Sequence, residues 1–192
     1  MKRLIVASGN KNKVREIKEI IGNKFDVISM KEAGIELMVD ETGATFADNA
    51  MLKAKALFEV IGEPVLADDS GLCVDALDGA PGVYSARYAG EGCNDEQNNK
   101  KLLREMENCT DRKAKFVCAM VYYNGEQDNF TAIGETYGEI MRQPVGKNGF
   151  GYDPLFFSSE FNMGFAEASS EQKNAVSHRG RALNKIKEYF GL

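Results

Sequence analysis

A chain of 192 residues, 43% of them apolar and 28% charged, has the length of one ordinary domain, roughly 100–200 residues, and folding at that size removes about 70% of the unfolded chain's surface from water. Only four prolines and the absence of any low-complexity tract exclude a disordered or fibrous protein. A net charge of −5 argues against a general nucleic-acid binder, which needs a basic face, yet leaves room for a local basic pocket that takes a phosphorylated small molecule.

Cys73, Cys93, Cys109 and Cys118 form no C-x-x-C pair, and the single histidine, His178, does not complete a spaced zinc set, so the cysteines read as reduced packing residues. The apolar run Leu4 to Ala7 is too short for a signal-peptide core, and no run approaches a membrane span. The expectation is a cytoplasmic protein without membrane association.

Residues 3–7 are a β-branched apolar run that stops at Ser8-Gly9-Asn10, and Val14, Ile17, Ile20 and Ile21 follow at helical spacing. Strand, loop and helix in that order aim backbone N–H groups and the positive end of the helix dipole at one place. Lys11 and Lys13 in the first turn oppose that dipole, a cost that a bound anion would offset, so they favour a phosphate site over a solvated face. The string is neither a Walker loop nor G-x-G-x-x-G.

A second strand is expected around Phe25 to Ile28. The polar passage Val39 to Thr45 then leads to a helix over 46–61 whose apolar stripe is Ala47, Ala50, Met51, Ala54, Leu57, Phe58 and Ile61. Thr45 is its N-cap, with Asp48 as a shortened capping-box partner. Asn49 and Lys53 lie together off the stripe, between the acidic loop Asp40-Glu41 and the next strand.

That strand, Pro64 to Ala67, delivers Asp68 and Asp69 into Ser70-Gly71, and the apolar run is expected to end there. Neighbouring residues of a pleated strand face opposite ways, so the two carboxylates share a ligand only if the strand has broken. Two readings stand: one carboxylate is a metal or catalytic group and the other its support, or the pair caps a turn. If loop and strand end meet, Glu41 and Asp69 make a two-carboxylate magnesium site completed by phosphates and water.

Leu72-Cys73-Val74 is another short apolar run, Asp78 to Gly82 a loop, residues 84–88 a polar helical or turn segment and 95–107 a charged helix. Ala114 to Tyr123 is the strongest strand, and residues 129–140 pair with it across Asn124-Gly125 as a hairpin. A hairpin suits a mixed sheet. The expected fold is therefore α/β, a single domain over 1–192 with a mixed central sheet flanked by helices and two lobes around a substrate cleft.

Gly146 to Pro154 combines three glycines with Phe150, Tyr152 and Asp153: either a flat ligand is approached by backbone and stacked on a ring, or this is a turn whose aromatics are core. Ser177 reads as the N-cap of a last helix with Ala182, Leu183, Ile186 and Phe190 inward, which places His178 and Arg179 in its first turn and points to an electron-rich ligand.

Together, Ser-Gly-Asn-Lys-Asn-Lys at 8–13, Glu-Thr-Gly-Ala-Thr-Phe-Ala-Asp-Asn-Ala at 41–50, Ala-Asp-Asp-Ser-Gly at 67–71, Gly-Ala-Pro-Gly-Val-Tyr-Ser-Ala-Arg at 79–87, Gly-Phe-Gly-Tyr-Asp-Pro at 149–154 and Ser-His-Arg-Gly at 177–180 resemble the inosine triphosphate pyrophosphatase, or HAM1-like, family. The resemblance implies hydrolysis of ITP, dITP and XTP to the monophosphate and pyrophosphate, with Mg2+, by a cytoplasmic homodimer. It implies that Ser8, Gly9, Asn10, Lys11, Asn12 and Lys13 hold the triphosphate, with Ser70 and Lys53 near the phosphates. Glu41 and Asp69 would hold the metal, Asp69 would also activate water, and Asp68 would be a support or a further ligand. Phe150, Gly151, Tyr152, Asp153, Lys173, His178 and Arg179 would take the base. Asp48 departs from the glutamate expected in many relatives, which puts its supporting contact in question.

Overall fold

Alternation along the first strand sets the architecture. In the computed structural model, which describes residues 1–192, β1 runs Lys2–Ala7. Leu4 and Val6 enter one core and Ile5 and Ala7 another. A strand buried on both faces belongs inside a sheet covered by helices. β1 pairs in parallel with β2 (Phe25–Ser29) and β3 (Val65–Val74), and the connections carry α1 (Lys11–Ile21) and α2 (Phe46–Ile61). After α3 (Asp95–Glu105) come β4 (Lys113–Tyr123), β5 (Asn129–Ile140), β6 (Phe156–Ser158) and β7 (Met163–Gly164), then α4 (Ser170–Val176) and α5 (His178–Tyr189). The sheet has seven strands in the order β2-β1-β3-β4-β5-β6-β7, with β6 antiparallel to both its neighbours. The expected mixed α/β sheet is the observed one. No helix is long and apolar enough to cross a membrane.

The chain divides into two compact units. The first comprises Met1–Asp69, Cys118–Gly134 and Arg179–Leu192; the second comprises Ser70–Val117 and Glu135–His178. In the first unit, Val14, Ile17 and Ile21 of α1 and Ala182, Leu183 and Ile186 of α5 pack with Leu66 and Met120. Ala50, Ala54 and Leu57 of α2 pack with Val65, Ala67 and Ala119. The second unit has its own core of Leu72, Val74, Leu102, Met106, Phe116, Phe156 and Phe165.

One expectation about local structure changes. The run beginning at Pro64 does not end at Ala67, because β3 continues through Asp68-Asp69-Ser70-Gly71 to Val74. The strand continues there with its carboxylates facing cations inside the protein, Asp68 toward Lys13 and Arg179 and Asp69 toward Lys53. Gly71 is also no turn residue: a Cβ on it would collide with Ser85 Oγ and the Gly82 carbonyl, so its role is close approach. A short helix, α4, precedes the last one, announced by a capping box between Ser169 and Gln172. Ser177 is thus the joint between α4 and α5.

Elsewhere the local chemistry is as expected. α2 spans 46–61, and Asp48 does reach back, accepting from Thr45 N (3.1 Å) and Oγ1 (2.8 Å) while Thr45 caps Asp48 N. The turn at 124–128 is closed by Asn124 N donating to Asp128 O at 2.9 Å. Ile17, wholly buried on α1, tests the packing: Ile17→Ala is expected to cost about 2–5 kcal/mol, read as a lower urea midpoint with an unchanged slope.

Candidate functional site

The unbroken pleat of β3 decides where the two central carboxylates go. Leu66 faces the core under α1 and α5, and Val65 and Ala67 face the core under α2. Period-two alternation then sends Asp68 to the Leu66 side and Asp69 to the Ala67 side.

Asp68 is completely buried. Its Oδ1 takes Lys13 Nζ of α1 at 2.5 Å; its Oδ2 takes Arg179 Nε of α5 at 3.0 Å and Cys118 Sγ at 3.1 Å. Glu16 of α1 accepts from the other side of the same guanidinium. Burial alone would raise the Asp68 carboxyl, but Arg179 and Lys13 outweigh it and hold the group well below the ordinary carboxylate range. Its ionised form therefore stabilises the fold at all but strongly acid pH. Two carboxylates and two cations make the cluster neutral, which is how buried charge is tolerated.

Asp69, 6% exposed, looks toward α2. Lys53 Nζ lies 3.3 Å from its Oδ1 and 2.6 Å from Glu41 Oε1, so the acidic loop and the strand do meet. Asn49, also on α2 and wholly buried, accepts from Gly43 N at 2.8 Å and ties the loop down. The Asn49 and Lys53 pair is thus a contact to that loop and not a solvated face. Burial, helped by the neighbouring Glu41 and Asp68 carboxylates, raises the Asp69 carboxyl against the pull of Lys53 and Lys13. Burial would likewise lower Lys53, yet Asp69 and Glu41 keep it above its ordinary value and charged.

Asp69 Oδ2 is buried and accepts no hydrogen bond. Glu41 and Asp69 already converge on one cationic centre, the Lys53 ammonium. A hard divalent cation such as Mg2+ takes one or two carboxylates and completes its shell with water and phosphate oxygens, so this donor pair fits one. Asp68 lies on the opposite face of β3 with both oxygens engaged, and its place in mid-strand removes the turn-cap reading.

In the loop before α1, Asn10 Oδ1 accepts from Asn12 N (2.9 Å) and Lys13 N (3.2 Å), and Ser8 Oγ accepts from Asn10 N (3.2 Å). The chain thereby caps two of the first-turn amides itself. The first turn holds no acidic residue, and Lys11 is exposed while Lys13 leans on Asp68.

The second unit brings together other residues singled out in the sequence. Lys173 Nζ, buried, sits 2.5 Å from Asp153 Oδ2 and over the rings of Phe150 (4.8 Å) and Phe165 (5.8 Å). Asp153 Oδ2 also accepts from Phe150 N at 2.9 Å. Gly149 has a φ of +75°, and a side chain there would run into the Asp153 carboxylate, so glycine is required. The two aromatics divide: Tyr152 is core and hydrogen-bonds Ser85 O at 2.8 Å, whereas Phe150 stays partly exposed. His178 is buried with its ring stacked on Phe116, 4.8 Å between centroids. Arg179, its neighbour in sequence, is engaged instead by Asp68 and Glu16, so its contacts favour positioning Asp68 over donation to a base.

Sequence reasoning misses Cys118 as a partner of Asp68, Glu16 as the second carboxylate on Arg179, and Asn49 as the fastening of the acidic loop. Glu16 stands three residues after Lys13 on the same side of α1, the one local hint; its partner Arg179 is 163 positions away.

The fold and these charge clusters define an α/β protein that sets cations and carboxylates on both faces of a central strand. The chain belongs to the Ham1 family, which residues 4–189 match. It is 50% identical over 197 residues to a dITP/XTP pyrophosphatase of Clostridium perfringens, covering 98% of this chain and 97% of the relative. It is also 50% identical over 194 residues to a protein of the same name from Geobacter sulfurreducens, covering 100% and 98%. Among solved structures it superposes on the Ham1 protein of Staphylococcus aureus with a TM-score of 0.88 at 42% identity, covering 99% of this chain and 98% of that one. A HAM1 protein from Coxiella burnetii gives 0.89 at 38%, covering 100% and 99%.

The buried cluster makes a direct prediction. Arg179→Met leaves Asp68 and Glu16 without their shared cation, and removing one partner of a buried pair typically costs about 3–5 kcal/mol. Chemical denaturation should show that loss, and the double variant Arg179→Met with Glu16→Gln should recover part of it.

Proposed function

We propose that this protein hydrolyses non-canonical purine nucleoside triphosphates, ITP, dITP and XTP, to the nucleoside monophosphate and pyrophosphate. The observation that carries the reading is the Asp69 carboxylate, buried, raised in pKa and with one oxygen that accepts no hydrogen bond, beside Lys53 and Glu41, in a Ham1-family chain. A carboxylate in that state is suited to take a proton from water at near-neutral pH.

In the reaction, water attacks the α-phosphorus, a new P–O bond forms, the α–β anhydride breaks and pyrophosphate departs with its electron pair. Asp69 orients the water and accepts its proton. Lys53 and Lys13, joined by Lys11 and the polar groups of Ser8 to Asn12, supply positive charge to the phosphate oxygens, which gain charge as the anhydride opens. Ser70, next to Asp69 on β3, adds a hydroxyl near the phosphates. Glu41 and Asp69 would hold Mg2+, which when bound neutralises phosphate charge and fixes the in-line arrangement. Asp68 keeps the Lys13 ammonium in place and is itself fixed by Arg179.

Phe150 to Asp153, Lys173 and His178 would take the base. Lys173 and His178 are donors suited to a 6-oxo purine. Adenine's 6-amino group would leave them unpaired, a loss that polar sites discriminate strongly. Phe150 offers a ring face. The family resemblance extends the reading to a cytoplasmic homodimer, for which sedimentation should give about twice the chain mass of 21.2 kDa.

Product analysis across ITP, XTP, GTP and ATP tests the assignment: pyrophosphate with the monophosphate is expected from ITP and XTP, and direct release of orthophosphate would overturn it. Asp69→Asn should lower turnover by about 10²–10⁴-fold with nucleotide binding retained by calorimetry. Because burial holds the Asp69 carboxyl above its ordinary 3.8, its ionisation opposes folding, so the same variant should melt higher at neutral pH. In the wild type, kcat/KM should fall as pH drops through that raised value, at higher pH than an ordinary aspartate would give.

A further inference from the structure

α3 grips Gly151 by both of its backbone groups. The Gly151 N–H donates to Asp95 Oδ2 at 2.7 Å, and its carbonyl accepts from Asn99 Nδ2 at 3.0 Å. Asp95 and Asn99 are four residues apart, which puts them on one face of the first turns of α3. The helix does not need Asp95 as its cap, since Asn94 and Gln97 already form a complete capping box there. Asn99 is buried, and its Oδ1 has no hydrogen-bond partner, so the side chain is held where it reaches Gly151 at the expense of its own acceptor.

The grip is one of three on successive residues. Phe150 N is taken by Asp153, Gly151 by Asp95 and Asn99, and the Tyr152 hydroxyl by Ser85 O. A Gly-Phe-Gly segment is intrinsically flexible and would lose much conformational entropy when ordered against a ligand. Side chains that order it beforehand lower the cost of binding without touching what is bound.

We propose that Asp95 and Asn99 are positioning residues for base recognition, acting through Gly151 to hold the Phe150 ring ready for the purine. This rests on the reading that Phe150 to Asp153 with Lys173 take the base. The effect belongs to binding of the base end of the substrate and leaves the chemistry at the α-phosphorus alone.

Two measurements on Asp95→Ala, Asp95→Asn and the control Glu96→Ala test it. Asp95 is exposed, so its truncation spares the core. Glu96 carries the same charge in the same turn but pairs with Lys100. In Asp95→Ala, exchange of the Gly151 amide should quicken about tenfold, and KM for ITP should rise about tenfold with kcat within about twofold, the scale of one charge-assisted hydrogen bond. Asp95→Asn, whose amide oxygen still accepts, should restore most of both, and Glu96→Ala should match the wild type. A purely structural role would lower the melting temperature in Asp95→Ala and Glu96→Ala alike and leave KM in place, overturning the proposal. Unchanged Gly151 exchange in Asp95→Ala would overturn the grip itself. Faster exchange with unchanged KM, in an enzyme that still turns over ITP, would refute the role in recognition while leaving the pyrophosphatase reading intact. If the wild type turns over neither ITP nor XTP, the pyrophosphatase reading fails, and the proposal with it.

Discussion

Two adjacent carboxylates in the middle of a buried strand would break it if either stayed uncompensated, since an unpaired charge in the interior costs far more than a strand's hydrogen bonds return. At Asp68 and Asp69 the pleat turns this burden into a division of labour. One face of β3 presents Asp68 to Lys13 and Arg179; the other presents Asp69 to Lys53, with Glu41 on the same ammonium. α1 and α5 are held to one side of the strand by charge as well as by Leu66, and α2 to the other by charge as well as by Ala67. The helices that complete the first unit are thus the same ones that neutralise its central strand.

The two carboxylates differ in state because their surroundings differ. Asp68 is saturated by cations and a thiol and stays ionised; Asp69 has one lysine to share with Glu41 and an oxygen with no donor. A saturated carboxylate serves structure. An under-compensated one stores a local instability that a reaction can draw on, which is the usual relation between functional groups and stability. In the second unit the same logic recurs around Lys173, whose charge is met by Asp153 and by aromatic faces.

Much of this is legible in the residues alone. The helix at 46–61 follows from an apolar stripe and a Thr45 cap, and the strand at 114–123 from an unbroken β-prone run, because both depend on interactions within a few residues. The expected end of β3 at Ala67 fails for a physical reason: charge in a strand pattern signals exposure unless partners are known, and Lys13 and Arg179 lie 55 and 111 positions away. The adjacency of His178 and Arg179 suggests a shared role, yet the first stacks on Phe116 while the second turns to Asp68. Residues next to each other at a helix start point about 100° apart.

By itself, then, the amino-acid sequence determined the α/β class, the order of most elements, the family through six spaced motifs, and the identity of the charged residues available for chemistry. Only the tertiary structure decided how those charges pair: Asp68 with Lys13, Arg179 and Cys118; Asp69 with Lys53; Glu41 brought in by the loop that Asn49 fastens; Gly151 in the grip of Asp95 and Asn99. Periodicity records which side of its own element a residue faces. Which element lies across from it is a matter of packing between segments far apart in the chain, and that is where the state of each carboxylate is set.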